Sequence, residues 1–287
     1  MTASSPSRLQ NKSHDNNAMI AANLREAASL LMAQDASPFR SLAYLKAAST
    51  IEKLDDDISE IAASGMDALD AIPNIGTGIG SAIVELVSTG RWSQLERLRG
   101  GLEPETIFQT IPGIGPKLAH LIHEHLHVDT LETLETAAHD GRLATVPSIG
   151  PRRLSIIRNG LAGILSRRGA GRSYQPNQSL PPVDLLLDVD REYRTKAEAR
   201  KLRQIAPRRF NPTGHAWLPI LHTERGPWHF TALYSNTARA HDLGRTKDWV
   251  IIFFSTDDQP EGQCTVVTET AGANKGRRAV RGREHQE

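Results

Sequence analysis

The chain has 287 residues, 39% hydrophobic and 23% charged, with a formal net charge of +1. That length gives room for two soluble domains with cores of their own, and no stretch approaches the roughly 18 consecutive apolar residues needed to cross a bilayer. A single cysteine, Cys264, excludes an internal disulfide and an all-cysteine zinc site, and suits a reducing cytoplasm.

The charge is unevenly spread. Residues 1–170 carry 16 Lys and Arg against 19 Asp and Glu, whereas residues 171–287 carry 18 against 14. An N-terminal part with net negative charge is no general polyanion sponge; any nucleic acid must be held by localised groups, with a modest salt dependence.

Residues 1–16 are Ser-rich and polar and read as a disordered tail, not a signal peptide. From Asn17 the pattern is helical: Ala18, Ile20, Ala21, Leu24, Ala27, Ala28 and Leu31 share one face at the 3.6 period. Ser37-Pro38 opens a second helix with Leu42, Ala43, Leu45, Ala48 and Ile51 as its apolar positions.

One phrase then recurs three times: Ile72-Pro73-Asn74-Ile75-Gly76, Ile111-Pro112-Gly113-Ile114-Gly115 and Val146-Pro147-Ser148-Ile149-Gly150, with starts 39 and 35 residues apart. Proline cannot continue the preceding helix, so each phrase restarts the chain between two helical runs, the layout of a helix-hairpin-helix. A tight hairpin opening a helix aims unpaired backbone N–H groups outward, where a phosphate oxygen can accept from them.

Asn74, Gly76, Gly78, Gly113, Gly115, Ser148 and Gly150 are therefore candidate DNA-binding positions. Lys117, Arg152 and Arg153, just after the second and third hairpins, add charge for the same phosphates. Asn74 and Ser148 replace the first glycine of the phrase; Asn tolerates a left-handed backbone, Ser less well. Thr130 to Ala138 reads as a helix connecting the last two hairpins.

The helix after the second hairpin carries His120, His123, His125 and His127. The i, i+4 pair His123 and His127 has zinc spacing, but no third ligand is evident and Glu124 lies off their face, so a solvated helix surface is the reading adopted.

Residues 167–182 lose all periodicity and form a linker. Val183 to Ile205 reads as a charged helix, followed by strands at 217–222, 228–235, 249–255, 264–269 and 278–281, with a short helix at 237–243. Asp188 and Asp190 are the one pair that resembles a metal-binding carboxylate couple, but on a helix i and i+2 diverge and cannot chelate one ion. The cluster His222, Thr223, His229, Thr231, Tyr234 and His241 reads either as the lining of a pocket or, the reading preferred, as buried, hydrogen-bonded residues, with His222 and His229 flanking a turn and facing each other across strands. Arg208-Arg209 and the basic run from Lys275 to Arg283 suit either phosphates or solvent.

The stretch from Asn17 to about Leu165 resembles the N-terminal part of bacterial family X DNA polymerases. The likeness rests on the three hairpins, Ser37-Pro38-Phe39-Arg40, Tyr44-Leu45-Lys46-Ala47-Ala48, Ser88-Thr89-Gly90-Arg91, Leu131-Glu132-Thr133-Leu134-Glu135 and Gly141-Arg142-Leu143. It implies a lyase-type domain (residues 17–95) that grips a 5′-phosphate at a gap through Arg40, Tyr44 and Lys46. A tandem helix-hairpin-helix domain (96–166) follows.

The resemblance also implies a monovalent cation, Na+ or K+, on hairpin carbonyls, with no other cofactor. Where the family places its lyase lysine this chain has Ala82, which offers no amine for a Schiff base. Where it places a basic residue after the first hairpin the chain has Gly78. The polymerase palm is not recognisable in residues 183–287.

The sequence thus predicts an all-α helix-hairpin-helix N-terminal part and a small α+β C-terminal domain. It predicts DNA binding without sequence preference, selective for gaps, nicks or junctions, in a bacterial cytoplasmic, nucleoid-associated repair or recombination protein with no membrane segment. The alternatives are a metal-dependent nuclease or nucleotidyl chemistry in the C-terminal domain, or an adaptor whose C-terminal domain binds a protein partner.

Overall fold

The computed structural model describes residues 6–101, 104–126, 128, 131–165, 180–257, 259–270 and 275–283. Three large hydrophobic cores organise them, two helical and one built on a sheet, with a small fourth cluster of Ala240, Trp249 and Val267. Among the described residues no helix is long and apolar enough to cross a membrane.

The first unit comprises α1 (Pro6–Ala33), α2 (Pro38–Ile51), α3 (Ile58–Ser64), α4 (Met66–Asp70), α5 (Thr77–Thr89) and α6 (Ser93–Leu98). Ile20, Ala21, Leu24, Ala27, Ala28 and Leu31 of α1 are buried, as the period requires. Helix α1 starts at Pro6, inside the stretch expected to be a tail, because a polar sequence free of interior proline and glycine can extend a helix already nucleated on the core. Residues 1–5 of that expected tail lie outside the described residues.

On α2 the buried face is Ser41, Tyr44, Ala47, Ala48 and Ile51, so Leu42 and Ala43 face outward, contrary to expectation. Tyr44 carries the packing instead, against Trp92 at 5.5 Å between ring centroids. Leu95 and Leu98 of α6 complete this core, which places the unit's end at Gly100-Gly101 and not at residue 95.

The second unit comprises α7 (Pro104–Phe108), α8 (Pro116–Leu126), α9 (Leu131–His139), a 3-10 turn (Arg142–Thr145) and α10 (Pro151–Leu165). The connector α9 buries Leu131, Leu134 and Ala138, the i, i+3, i+7 positions predicted. The expected linker falls mostly on residues 166–179, outside the described residues.

The C-terminal unit opens with α11 (Val183–Glu198), shorter than expected: Arg200 takes a left-handed φ of 53°, and the chain continues as β1 (Arg203–Ile205). Then follow β2 (Leu218–Arg225), β3 (Trp228–Tyr234), α12 (Ala238–Asp242), β4 (Val250–Thr256), β5 (Gln259–Thr268) and β6 (Arg278–Val280). The six strands form one antiparallel sheet in sequence order.

Every residue from Val250 to Phe254 is buried, the mark of a strand covered on both faces. Helix α11 covers one face, where the Tyr193 hydroxyl donates to the Pro219 carbonyl at 3.0 Å and accepts from the Tyr234 N–H at 2.8 Å. The first helical unit covers the other. Register sets His222 against Thr231, Thr231 against Phe253 and Phe253 against Gln263, so these four share the face turned to the helices.

Candidate nucleic-acid interface

All three hairpins adopt one turn. Proline sits at its second position, a left-handed residue at its third (Asn74 φ 67°, Gly113 φ 88°, Ser148 φ 72°), which is a type II turn. Ile75, Ile114 and Ile149 close the turns with N–H bonds to the carbonyls of Ile72, Ile111 and Val146 at 3.1, 3.1 and 3.2 Å, and their side chains are buried as anchors. The first bonds of the following helices are Gly80 to Gly76, Ala119 to Gly115 and Leu154 to Gly150.

The N–H groups ahead of those bonds point out of the helix end. None of α5, α8 and α10 carries an acidic residue in its first turn, so the positive end of each helix dipole is left for an external anion. Around Gly78, Gly115 and Gly150 there is open space where a side chain would stand.

The second and third hairpins form one body: Gly160 of α10 lies so close to Pro112 and Ile111 that a Cβ there would come within 2.9 Å of the proline ring. Lys117 and Arg152 are exposed beside their hairpins. Arg153 instead donates from Nη1 to the Ser148 carbonyl, bracing its own hairpin.

The first hairpin is differently placed. Asn74 donates from Nδ2 to Thr50 Oγ1 at 3.1 Å, tying the turn to α2, and the Asp257 carbonyl of the β4–β5 turn approaches Gly76. A backbone carbonyl therefore stands at a hairpin that has no basic residue of its own.

Of the residues expected to form a phosphate pocket beside it, Arg40 and Tyr44 lie side by side, one turn apart on α2, whereas Lys46 does not join them. Tyr44 is buried, donates to Gln94 Oε1 at 3.0 Å, and has its pKa raised by that burial. Lys46 is exposed on another side of α2, and Arg40 lines a cleft of about 220 Å³ with Ser37, His222, Glu224 and His229. Ala82 is a buried methyl in the first core.

The C-terminal candidates are absorbed into internal networks. Asp188 pairs with Arg225 at 3.0 Å and also with Arg191; buried Asp190 pairs with Arg278 at 2.6 Å and Arg194 at 3.2 Å. Both stand on α11, where arginines hold their carboxylates. Arg278, Arg281 and Arg283 of the basic run hold Asp190, the Trp249 ring and the Pro181 carbonyl respectively, so the run is not wholly solvated, while Lys275 and Arg277 are exposed.

His229 is paired across the strands with Glu224, not with His222, because the hairpin register sets Glu224 opposite it; its Nδ1 lies 3.1 Å from the Glu224 carboxylate. His241 lies on α12, 4.4 Å from the Phe210 ring.

Of the α8 histidines, His120 and His125 are exposed as expected and His123 is not. His123 is buried with Nδ1 3.0 Å from Glu105 Oε1, while His127 lies outside the described residues. Glu105, His120 and Glu124 are close enough to share a metal. The Arg209 guanidinium, however, sits on both carboxylates, 2.9 Å from Glu105 and 3.0 Å from Glu124, and supplies the positive charge itself. Burial opposes ionisation of Glu105, yet the bond and charge of His123 together with Arg209 hold its pKa down at about 2.

Sequence reasoning missed the residues that join the units: Gln34, Arg97, Glu261 and Arg209. The continuous apolar run of β4 was the one signal that both sheet faces are covered.

Residues 15–92 match the helix-hairpin-helix domain family, and residues 105–161 match the SAM-like helix-hairpin-helix tandem family. The chain is 30% identical over 118 residues to the DNA polymerase/3'-5' exonuclease PolX of Bacillus subtilis (strain 168), covering 40% of this chain and 20% of that protein. It is 32% identical over 113 residues to DNA polymerase lambda of Arabidopsis thaliana, covering 39% of this chain and 20% of that protein. The chain thus spans about a fifth of the length of these curated relatives, and its N-terminal region is the part that resembles family X DNA polymerases.

Proposed function

We propose that the protein binds DNA through phosphates, without sequence preference, at the second and third hairpins, and that it selects gaps, nicks or junctions in DNA repair or recombination. The observation that carries the reading is the pair of matched turns at Gly113 and Ser148. Each opens an acid-free helix end beside an exposed cation, Lys117 or Arg152. Backbone N–H donors and lysine or arginine heads recognise phosphate and carry no base information.

Two linked hairpins suit the two strands of one duplex arm, and the first helical unit is then placed to meet a second arm or a strand end. The names of the two polymerase relatives agree with DNA as the partner. The same reading includes a monovalent cation at a hairpin; exchanging Na+ or K+ for a bulky organic cation at fixed ionic strength tests it.

The direct test is a salt titration of duplex binding. Replacing Lys117 and Arg152 by alanine lowers the slope of log K against log[salt] by about 0.9 for each phosphate that the variant no longer neutralises. An unchanged slope in the double variant would remove these two residues from the interface.

A further inference from the structure

The chain passes from the first helical unit to the second through Gly100-Gly101. Gly100 has a φ of 81°, a left-handed conformation suited to glycine. Two glycines in a link between domains ordinarily give a swivel.

Here a second segment crosses the link. Residues Ala206 to Arg209, between β1 and β2, run against it so closely that a Cβ on Gly100 would fall 2.2 Å from the Ala206 carbonyl oxygen. The Arg208 N–H donates to the Gly100 carbonyl at 3.0 Å. The Arg208 side chain stands 3.7 Å from Glu96 on α6, on the near side of the link. Arg209 reaches the far side, with Nη1 on Glu105 of α7 and Nη2 on Glu124 of α8. The Arg209 carbonyl accepts from Asn236 Nδ2 at 2.9 Å, which anchors the strap in the C-terminal unit.

We propose that the strap Ala206–Arg209 locks the Gly100-Gly101 hinge, with Arg209 as the positioning residue that fixes the tandem hairpins relative to the first helical unit. The lock stands on these contacts alone. Its consequence, that the fixed spacing sets which DNA shape is preferred, rests on the DNA-binding reading above. Arginine suits the task because its planar fork meets two carboxylates at once, where lysine offers a single point charge.

The test separates the two claims. Spin labels at Met32→Cys and Ala144→Cys, both exposed and one in each helical unit, report the distance across the hinge in the full chain without DNA. Half-buried Cys264, its thiol pushed up to about 12 by desolvation, is replaced by serine (Cys264→Ser) throughout, so that it takes no label. The parent chain gives one narrow distance distribution, and Arg209→Gln broadens it about two-fold or more, the freedom expected of an unlocked interdomain link.

A parent distribution that is already broad, or one that Arg209→Gln leaves unchanged, overturns the lock. Glu124→Gln, which removes one of the two acceptors, gives the same reading if Arg209→Gln fails to fold. In a second arm, Arg209→Gln cuts the preference for gapped over continuous duplex about ten-fold, while continuous-duplex affinity stays within about two-fold. Failure of that arm alone, with the distance result intact, rejects the DNA-shape reading and keeps the lock.

Discussion

Gln34, in the turn that ends α1, and His222, in β2, are joined by a 3.0 Å contact across 188 positions of sequence. The Gln34 amide is oriented by its own Nε2, which donates to the Leu98 carbonyl at 2.7 Å, so its oxygen faces the imidazole. His222 Nε2 must therefore carry the proton, and Nδ1 accepts from Thr231 Oγ1 at 3.0 Å. A neutral ring satisfies both partners.

That arrangement has a pH signature. Burial first, then the charges of Arg40 and Arg97, lower the His222 pKa to about 3. Since the unfolded chain takes up this proton near 6.5, it binds more protons than the fold between pH 6.5 and 3, and stability falls as pH falls through that window. Urea unfolding should show a slope of up to about 1.4 kcal/mol per pH unit below 6.5 from this group. His222→Gln flattens that part of the profile, and parallel profiles for the two proteins would reject the assignment. Working above pH 5 keeps the measurement clear of Glu105, whose contribution is lost only as pH falls from about 4.5 towards 2.

Arg97 is 2% exposed, lies 3.6 Å from the centroid of the Phe253 ring and pairs with Glu261. Removing the carboxylate leaves a buried charge uncompensated, so Glu261→Ala should cost roughly 3–5 kcal/mol in denaturant unfolding. Replacing both partners with apolar residues, Arg97→Met with Glu261→Leu, should recover most of that loss. Equal losses in the single and double variants would show that packing, not charge burial, sets the cost.

Ser148 holds a left-handed turn position that glycine fills at Gly113. Relief of that backbone strain, partly offset by the extra freedom of glycine in the unfolded chain, makes Ser148→Gly stabilising by about 1 kcal/mol. Asn74→Gly should gain less, because Asn tolerates this region and its side chain bonds Thr50. Thermal melts of the two variants rank the sites, and a lower melting temperature for Ser148→Gly would contradict the strain argument.

The first hairpin should be nearly silent toward DNA. Valine at Gly78 and at Gly115 is accommodated in open space, so neither change disturbs the core. Gly115→Val blocks a phosphate from the second hairpin and should weaken duplex binding about ten-fold, whereas Gly78→Val should alter it by less than about two-fold. Equal losses would return the first hairpin to the interface.

The hairpins were legible in sequence because proline, a left-handed residue and a buried isoleucine each have a local cause, and all three turns form as read. The strands after Ala216 were legible from β-rich runs broken by turns. The joins between units were not. Arg97 and Glu261 lie 164 positions apart, and nothing local in either segment marks them as partners. Arg208 and Arg209 read as a generic basic pair because their carboxylates sit on α6, α7 and α8. Strand β1, three residues long, is too short to show alternation. On α2, the choice between Tyr44 and Leu42 as the inward residue was settled by Trp92, a neighbour that helix periodicity cannot see.

The most direct measurement is fluorescence anisotropy of the intact chain on single-stranded DNA, continuous duplex and a one-nucleotide-gapped duplex with a 5′-phosphate. It would be run for the parent and for Gly115→Val with Gly150→Val. The account predicts that the parent binds the gapped duplex best and that the double variant, folded as judged by its melting temperature, loses binding to both duplexes. Weak, equal affinity for every DNA, unmoved by the double substitution, would show that the hairpins are scaffolding and contradict the account.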